Sequence, residues 1–135
     1  MANDTVLLKI ITPEGVSLEK EIEYANFPGP NGELGVLPSH SPLLAHLDYG
    51  NIAIRFSKTE NSVYFVRKGV LHVRPDSILL MVPELESKET IDNARAIKAK
   101  ERALEHLGST NKNINKDRAK KALSRAEKRL FIFSN

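Results

Sequence analysis

The chain has no cysteine and no tryptophan, and its aromatic residues are five Phe and three Tyr among 135 positions. Without cysteine there is no disulfide framework and no thiolate metal site, and His40, His46, His72 and His106 show no metal-ligand spacing. No glycine-rich segment ending in Lys-Ser or Lys-Thr is present, so the phosphate loop of an ordinary ATPase is excluded. The longest apolar run, residues 78–83, is too short to cross a bilayer, and the start lacks the basic region and apolar stretch of a signal peptide. These absences predict a chain that stays where it is made and works at a membrane only through a partner.

What is present is divided in two. The net charge of +3 conceals 7 Lys/Arg against 11 Asp/Glu in residues 1–87, and 13 against 6 in residues 88–135. A basic last third seeks phosphates, nucleic acid or an acidic protein surface. That third has Phe131 and Phe133 as its only aromatics, so platforms for stacking bases are nearly absent. A basic helical nucleic-acid-binding module is therefore the alternative reading, disfavoured. An enzyme is disfavoured too, because no histidine pairs in sequence with Ser or Asp as a nucleophile and base.

From residue 5 to about 83, short segments of alternating hydrophobicity recur between turn signals, as in an all-β sandwich or barrel. Expected strands are Val6–Thr12, Leu43–Leu47 and residues 63–67, 70–74 and 78–82, with Ile52, Ile54 and Phe56 repeating the period of two. Residues 16–24 alternate most cleanly, which predicts Val16, Leu18, Ile22 and Tyr24 inward and Ser17, Glu19, Glu21 and Glu23 outward.

After Pro83 the period changes. Residues 90–107 and 114–132 are rich in Ala, Lys, Arg, Glu and Leu, contain neither Pro nor Gly, and read as two helices. Ser87 or Thr90 is the expected N-cap of the first, Gly108 its C′ residue, and Asn113 or Asn115 the cap of the second. The fold class is thus α+β, an N-terminal antiparallel β-sandwich (1–84) followed by a C-terminal antiparallel two-helix hairpin (85–135).

Three-and-four spacing gives apolar stripes of Ile91, Ala94, Ile97, Glu101, Leu104 and Leu107 on the first helix, and Ala119, Leu123, Ala126, Leu130 and Phe133 on the second. Both are heavy in alanine, which buries little area, so the seam is weak against the entropy of ordering the segment. Beside them run Asp92, Arg95, Ala99 and Arg102, and Arg118, Ala122, Arg125 and Arg129. Brought together by the hairpin, these guanidiniums repel one another, and a triphosphate relieves the repulsion through charge-assisted bonds. The loop 108–113 reads as polar and unconstrained.

Two motifs carry a resemblance. Gly32-Glu33-Leu34-Gly35-Val36-Leu37-Pro38-Ser39-His40-Ser41-Pro42-Leu43-Leu44, then Gly69-Val70-Leu71-His72-Val73 and a two-helix tail, resemble the epsilon subunit of F-type ATP synthase over essentially the whole chain. That family's ATP-binding signature, Ile/Leu-Asp-x-x-Arg-Ala, matches Ile91-Asp92-Asn93-Ala94-Arg95-Ala96.

The resemblance implies a non-catalytic rotor part of the central stalk that helps couple proton flow to ATP synthesis. Its sandwich is expected to bind the gamma subunit and, at its base, the membrane ring of c subunits. The loop bearing Glu33 is expected to face the c-ring, and His40 to lie near gamma. The tail is expected either folded as a hairpin or extended along gamma, where it meets a beta subunit and inhibits ATP hydrolysis. ATP, a regulatory ligand and not a substrate, is expected to hold it folded, with magnesium dependence left open. Ile91 and Asp92 would sit by adenine and ribose, Glu86 just ahead of them, and Arg95, Arg102, Arg125 and Arg129 on the phosphates, with Arg118 a lesser candidate. No residue is expected to bind a metal or perform catalysis. The implied location is the cytoplasmic face of a bacterial plasma membrane, held peripherally through the complex, in preference to a thylakoid.

Overall fold

A computed structural model describes residues 4–133, which form two compact units divided between Glu86 and Ser87. The first holds nine strands: β1 (Val6–Thr12), β2 (Gly15–Ile22), β3 (Tyr24–Gly29), β4 (Gly32–Val36), β5 (Leu43–Leu47), β6 (Gly50–Arg55), β7 (Asn61–Val66), β8 (Gly69–Val73) and β9 (Ser77–Met81). They make a five-stranded sheet in the order β2-β1-β9-β8-β5 and a four-stranded sheet in the order β4-β3-β6-β7. Every neighbouring pair is antiparallel except β1 and β9, which run parallel. Parallel neighbours cannot be joined by a tight turn, and here seven strands lie between them in sequence.

Alternation packs the sandwich. Leu8 and Ile10 of β1, Leu71 and Val73 of β8, and Ile78 and Leu80 of β9 form one inner face. Ala25 and Phe27 of β3, Val36 of β4, and Ile52 and Ile54 of β6 form the other. All are buried in one contiguous core, the dry layer two facing sheets need.

The segment 16–24 departs from its predicted alternation. It is two strands in two different sheets, divided at Glu23, whose amide donates to the Arg55 carbonyl at 2.8 Å. Within β2 the register slips: Ile10 faces Leu18 but Ile11 faces Val16, leaving Ser17 as the extra residue of a β-bulge. The bulge reverses the face, so Leu18 and Ile22 point inward as expected while Val16 is 54% exposed beside Ile11. Strand β4 was absent from the expected strands because Gly32 and Gly35 dilute its pattern. Its turn is built by Gly32 at φ +123, a backbone that side-chain-bearing residues rarely adopt.

The second unit is the hairpin of α1 (Asn93–Gly108) and α2 (Lys116–Phe133). Its seam differs from the expected one. On α1 the buried residues are Ala96 and Ala103, seven apart, while Ile97 (42%) and Leu104 (49%) are exposed, as are Ala94 and Glu101. On α2, Ala119 and Ala126 are buried as expected, Leu123 and Leu130 partly so, and Ile132 joins them. In an antiparallel hairpin Ala96 comes roughly level with Ala126 and Ala103 with Ala119, which puts the buried alanines at matching heights along the two helices. Small side chains win the seam because they let the two backbones close up, and the larger Ile97 and Leu104 fall on a flank.

Phe27→Ala removes a fully buried ring and is expected to cost about 3–5 kcal/mol of sandwich stability in denaturant unfolding. Leu104→Ala, at a half-exposed helix position, is expected to change unfolding by less than about 0.5 kcal/mol.

Candidate functional site

The helix that carries the basic site is started by Asp92. Its Oδ1 accepts the Arg95 amide at 3.0 Å while its own backbone is extended, with φ −79 and ψ 104. The expected caps, Ser87 and Thr90, form a separate turn instead. Thr90 Oγ1 accepts the Ser87 amide at 2.7 Å, and the Ile91 amide donates to the Ser87 carbonyl at 2.9 Å. Hydrogen bonding, chiefly from the Ser87 side chain, holds the exposed Glu89 carboxyl below its ordinary range. At the far end Gly108 is the last residue of α1, and Ser109, in extended conformation, is the C-cap, which moves the helix end one residue beyond the expected glycine cap. Asn115, one of the two expected caps of α2, does start it, accepting the Arg118 amide at 3.0 Å.

Helical phase decides which arginines share a face. Arg95 and Arg102 are seven apart on one flank of the Ala96–Ala103 line, and Arg118, Arg125 and Arg129 stand on the flank of Ala119 and Ala126. Because the helices run antiparallel, the two flanks fall on the same broad face, with Ala99 and Ala122 between them. Arg95, Arg102 and Arg118 are exposed, and Arg125 and Arg129 partly buried. The face suits a polyanion: several planar cations above a floor of small side chains. The opposite flank of α1 is the one that carries Ile97 and Leu104.

The other expected nucleotide contacts are disposed differently. Ile91 is 8% exposed and precedes the helix. Asp92 is engaged as the N-cap, so its first duty is to the backbone of α1. Glu86 belongs to the sandwich unit, where its amide and carbonyl pair with Phe65 at 3.0 and 2.8 Å in an isolated bridge. The loop 109–115 is not unconstrained. Ser109 Oγ accepts the Asn111 amide, Asn111 Oδ1 accepts the Asn113 amide at 2.9 Å, and Lys116 Nζ donates to carbonyls at the end of α1.

The sandwich presents a second surface. On the outer face of the five-stranded sheet one cross-strand row runs Lys9, Leu79, His72, Leu44, and a second runs Val16, Ile11, Met81, Val70, His46. Leu44 is 70% exposed and Met81 also exposed, so the face, interrupted by Lys9, His72 and His46, is largely apolar and open to varying degrees across several strands. A sequence signal for it existed: β9 is a continuous apolar run after Ser77, and β1 is broken only by Lys9, so neither alternates cleanly, as in strands covered on both faces. His40 stands in the connection leading into β5, the strand that contributes Leu44, and its Nδ1 donates to the Ser41 carbonyl at 2.7 Å. Ser39 beside it holds φ +62, unusual for a non-glycine residue. Glu33 lies on β4 rather than in a loop, just after the Gly32 turn, and accepts from Asn26 Nδ2 at 2.8 Å.

Among the described residues no group of His, Asp and Glu is arranged to hold a metal ion, and no helix is long and apolar enough to cross a membrane. The class is therefore a two-unit protein with an open apolar sheet face and an arginine-faced hairpin. Residues 5–88 match the model of the ATP synthase delta/epsilon chain β-sandwich domain, and residues 89–130 that of the delta/epsilon chain long α-helix domain. The chain belongs to the ATP synthase delta/epsilon family. It is 36% identical over 132 residues to the ATP synthase epsilon chain of Bacillus velezensis, covering 97% of this chain and 98% of that one. The epsilon chain of Nitratidesulfovibrio vulgaris strain Hildenborough is 35% identical over 128 residues, covering 95% of each. In fold it is similar to a chain of the Euglena gracilis mitochondrial ATP synthase, with a TM-score of 0.80 at 20% identity over 100% of this chain and 84% of that one. A chain of the Tetrahymena thermophila mitochondrial enzyme gives 0.54 at 14% identity over 99% and 97%.

Capping and ligand contact at Asp92 separate by substitution. Asp92→Ala is expected to cost about 1 kcal/mol of hairpin stability and lower helicity, whereas Asp92→Asn, which caps as well, is expected to leave helicity unchanged. Circular dichroism during thermal unfolding of the full chain checks both.

Proposed function

We propose that the chain is the epsilon subunit of an F-type proton-translocating ATP synthase, a non-catalytic rotor component whose C-terminal hairpin senses ATP. Full-length similarity to epsilon chains, across both domains, is the observation that carries this reading. The solved complexes of similar fold are described as F1 with its c-ring and as a central stalk with its c-ring, and the proposal extends that setting to this chain. Its place is then peripheral, on the cytoplasmic face of a bacterial plasma membrane.

In this reading the outer face of the five-stranded sheet, with Leu44, Leu79 and Met81, docks on the gamma subunit, and His40 lies at the rim of that contact. Glu33, on the edge strand β4, faces the c-ring. Burying an apolar sheet face against one partner gives a permanent attachment, which a part that transmits torque requires.

The hairpin is the regulatory element. Arg95, Arg102, Arg125 and Arg129 hold the phosphates of ATP, with Ile91, Asp92 and Glu86 toward the base and sugar. Since ATP binds the folded hairpin, it stabilises that state by RT ln(1 + [ATP]/Kd) and withholds the tail from the extended, inhibitory position against a beta subunit. ATP is not consumed there.

The isolated chain is expected to bind ATP, and Arg95→Ala or Arg125→Ala to weaken binding severalfold by calorimetric titration. Unchanged affinity in both variants removes the site. Deleting residues 88–135 is expected to raise ATP hydrolysis by the assembled synthase. Met81→Glu, a charge set in the apolar face, is expected to weaken binding to gamma at least tenfold while leaving sandwich unfolding unchanged. Retained affinity eliminates that face as the contact.

A further inference from the structure

We propose that Lys116 is a nucleotide-independent latch that makes the C-terminal cap of α1 conditional on α2 lying folded against it. The Lys116 ammonium donates to the carbonyl oxygens of His106 at 2.7 Å and Leu107 at 2.9 Å, and also to that of Ser109. The last carbonyls of a helix have no intrahelical amide four residues on to bond them, and they carry the negative end of the helix dipole. Helices commonly answer this need locally, with a glycine in left-handed conformation just past the end. Here Gly108 closes the helix and Ser109 is extended, at φ −76 and ψ 143, with its own amide making a 3.3 Å bond to the His106 carbonyl. The donor that completes the cap comes from the first residue of α2.

Among the described hydrogen bonds the connection is otherwise tied by local turns of Ser109, Asn111 and Asn115, each within three residues of its partner. Such bonds survive in either tail state because both partners travel together. The Lys116 bonds do not. They join residues seven to ten apart across the turn, and moving α2 away from α1 strips the ammonium and uncovers its carbonyl acceptors in one event. Set against a seam of alanines, which contributes little burial, this charge-assisted cluster is the strongest polar tie between the helices among the described hydrogen bonds. The hairpin therefore has a resistance to opening that ATP does not supply. The latch rests on the hairpin geometry, and on the proposed two-state tail only for its regulatory consequence.

The absence of native cysteine makes a distance measurement direct. With spin labels on Glu101→Cys and Lys121→Cys, exposed on α1 and α2, Lys116→Met is expected to raise the open fraction of the full-length chain about tenfold without ATP, the loss of roughly one net charge-assisted bond. Amide exchange at residues 106–109 is expected to quicken alongside, while Lys116→Arg, which keeps the charge and donors, stays near the parent. Distances and exchange unaltered in Lys116→Met overturn the latch. If Lys116→Met loses its helices altogether, native helicity in Lys116→Arg supports the latch, and equal loss in both overturns it. The ATP site fails on a different result, unchanged ATP binding in both Arg95→Ala and Arg125→Ala, which leaves these readouts untouched.

Discussion

Close approach of two helices through alanine is the constraint on which the hairpin depends. Alanine at 96, 103, 119 and 126 permits the backbones to near one another, but each methyl removes little apolar surface from water. Polar ties at the ends must therefore define the element: Asp92 at the start of α1, Asn115 at the start of α2, and Lys116 spanning the two. The same narrow seam leaves a broad flank on each side. One flank gathers arginines from both helices and the other carries Ile97 and Leu104, so a single packing choice sorts the chemistry of the whole unit.

The sandwich obeys the opposite rule. Its inner faces bury large aliphatic and aromatic side chains, and that core is closed without help from its surroundings. Strands β1 and β9, paired in parallel within the five-stranded sheet, are apolar on their outer face as well, apart from Lys9. A sheet of this kind tolerates water on one side only at a cost, which is reduced when a partner covers it. Rigidity and attachment thus come from the same two strands, while adaptability is left to the weakly packed helices.

Much of this was legible in the chain itself. Period-two segments located most strands, and the change of period after Pro83 located the hairpin, because both signals arise from backbone geometry that each segment carries locally. What failed was phase. In α1 the spacing of Ile97 and Leu104 named the wrong stripe, since the apolar side chain that buries most area is not the one a close antiparallel partner admits. In β2 a single bulge at Ser17 turned Val16 outward, and β4 was hidden by its glycines. The arginine stripes were legible as patterns, and helical phase with an antiparallel turn places them on one face. The Lys116 cap was not legible: its carbonyls come from backbone, which no residue type advertises. The apolar outer face was written in the run of β9 and in that of β1, which only Lys9 interrupts, a signal of strands covered on both sides.

The bulge at Ser17 also sets a rule of number. Along a strand each residue alternates sides, so the count of residues between the β1–β2 turn and Ile22 has a parity, and the extra residue at Ser17 changes it midway. Removing Ser17 itself would leave Leu18 opposite Ile10 and Val16 opposite Ile11 in an unbroken ladder, with Val16 still on the outer row. Removing one residue from the regular stretch between Leu18 and Ile22 would instead put one side of the cut out of phase with β1. Length variation in this edge strand is therefore position-dependent: a single residue can be lost at the bulge, whereas elsewhere only changes of even count keep both faces in phase.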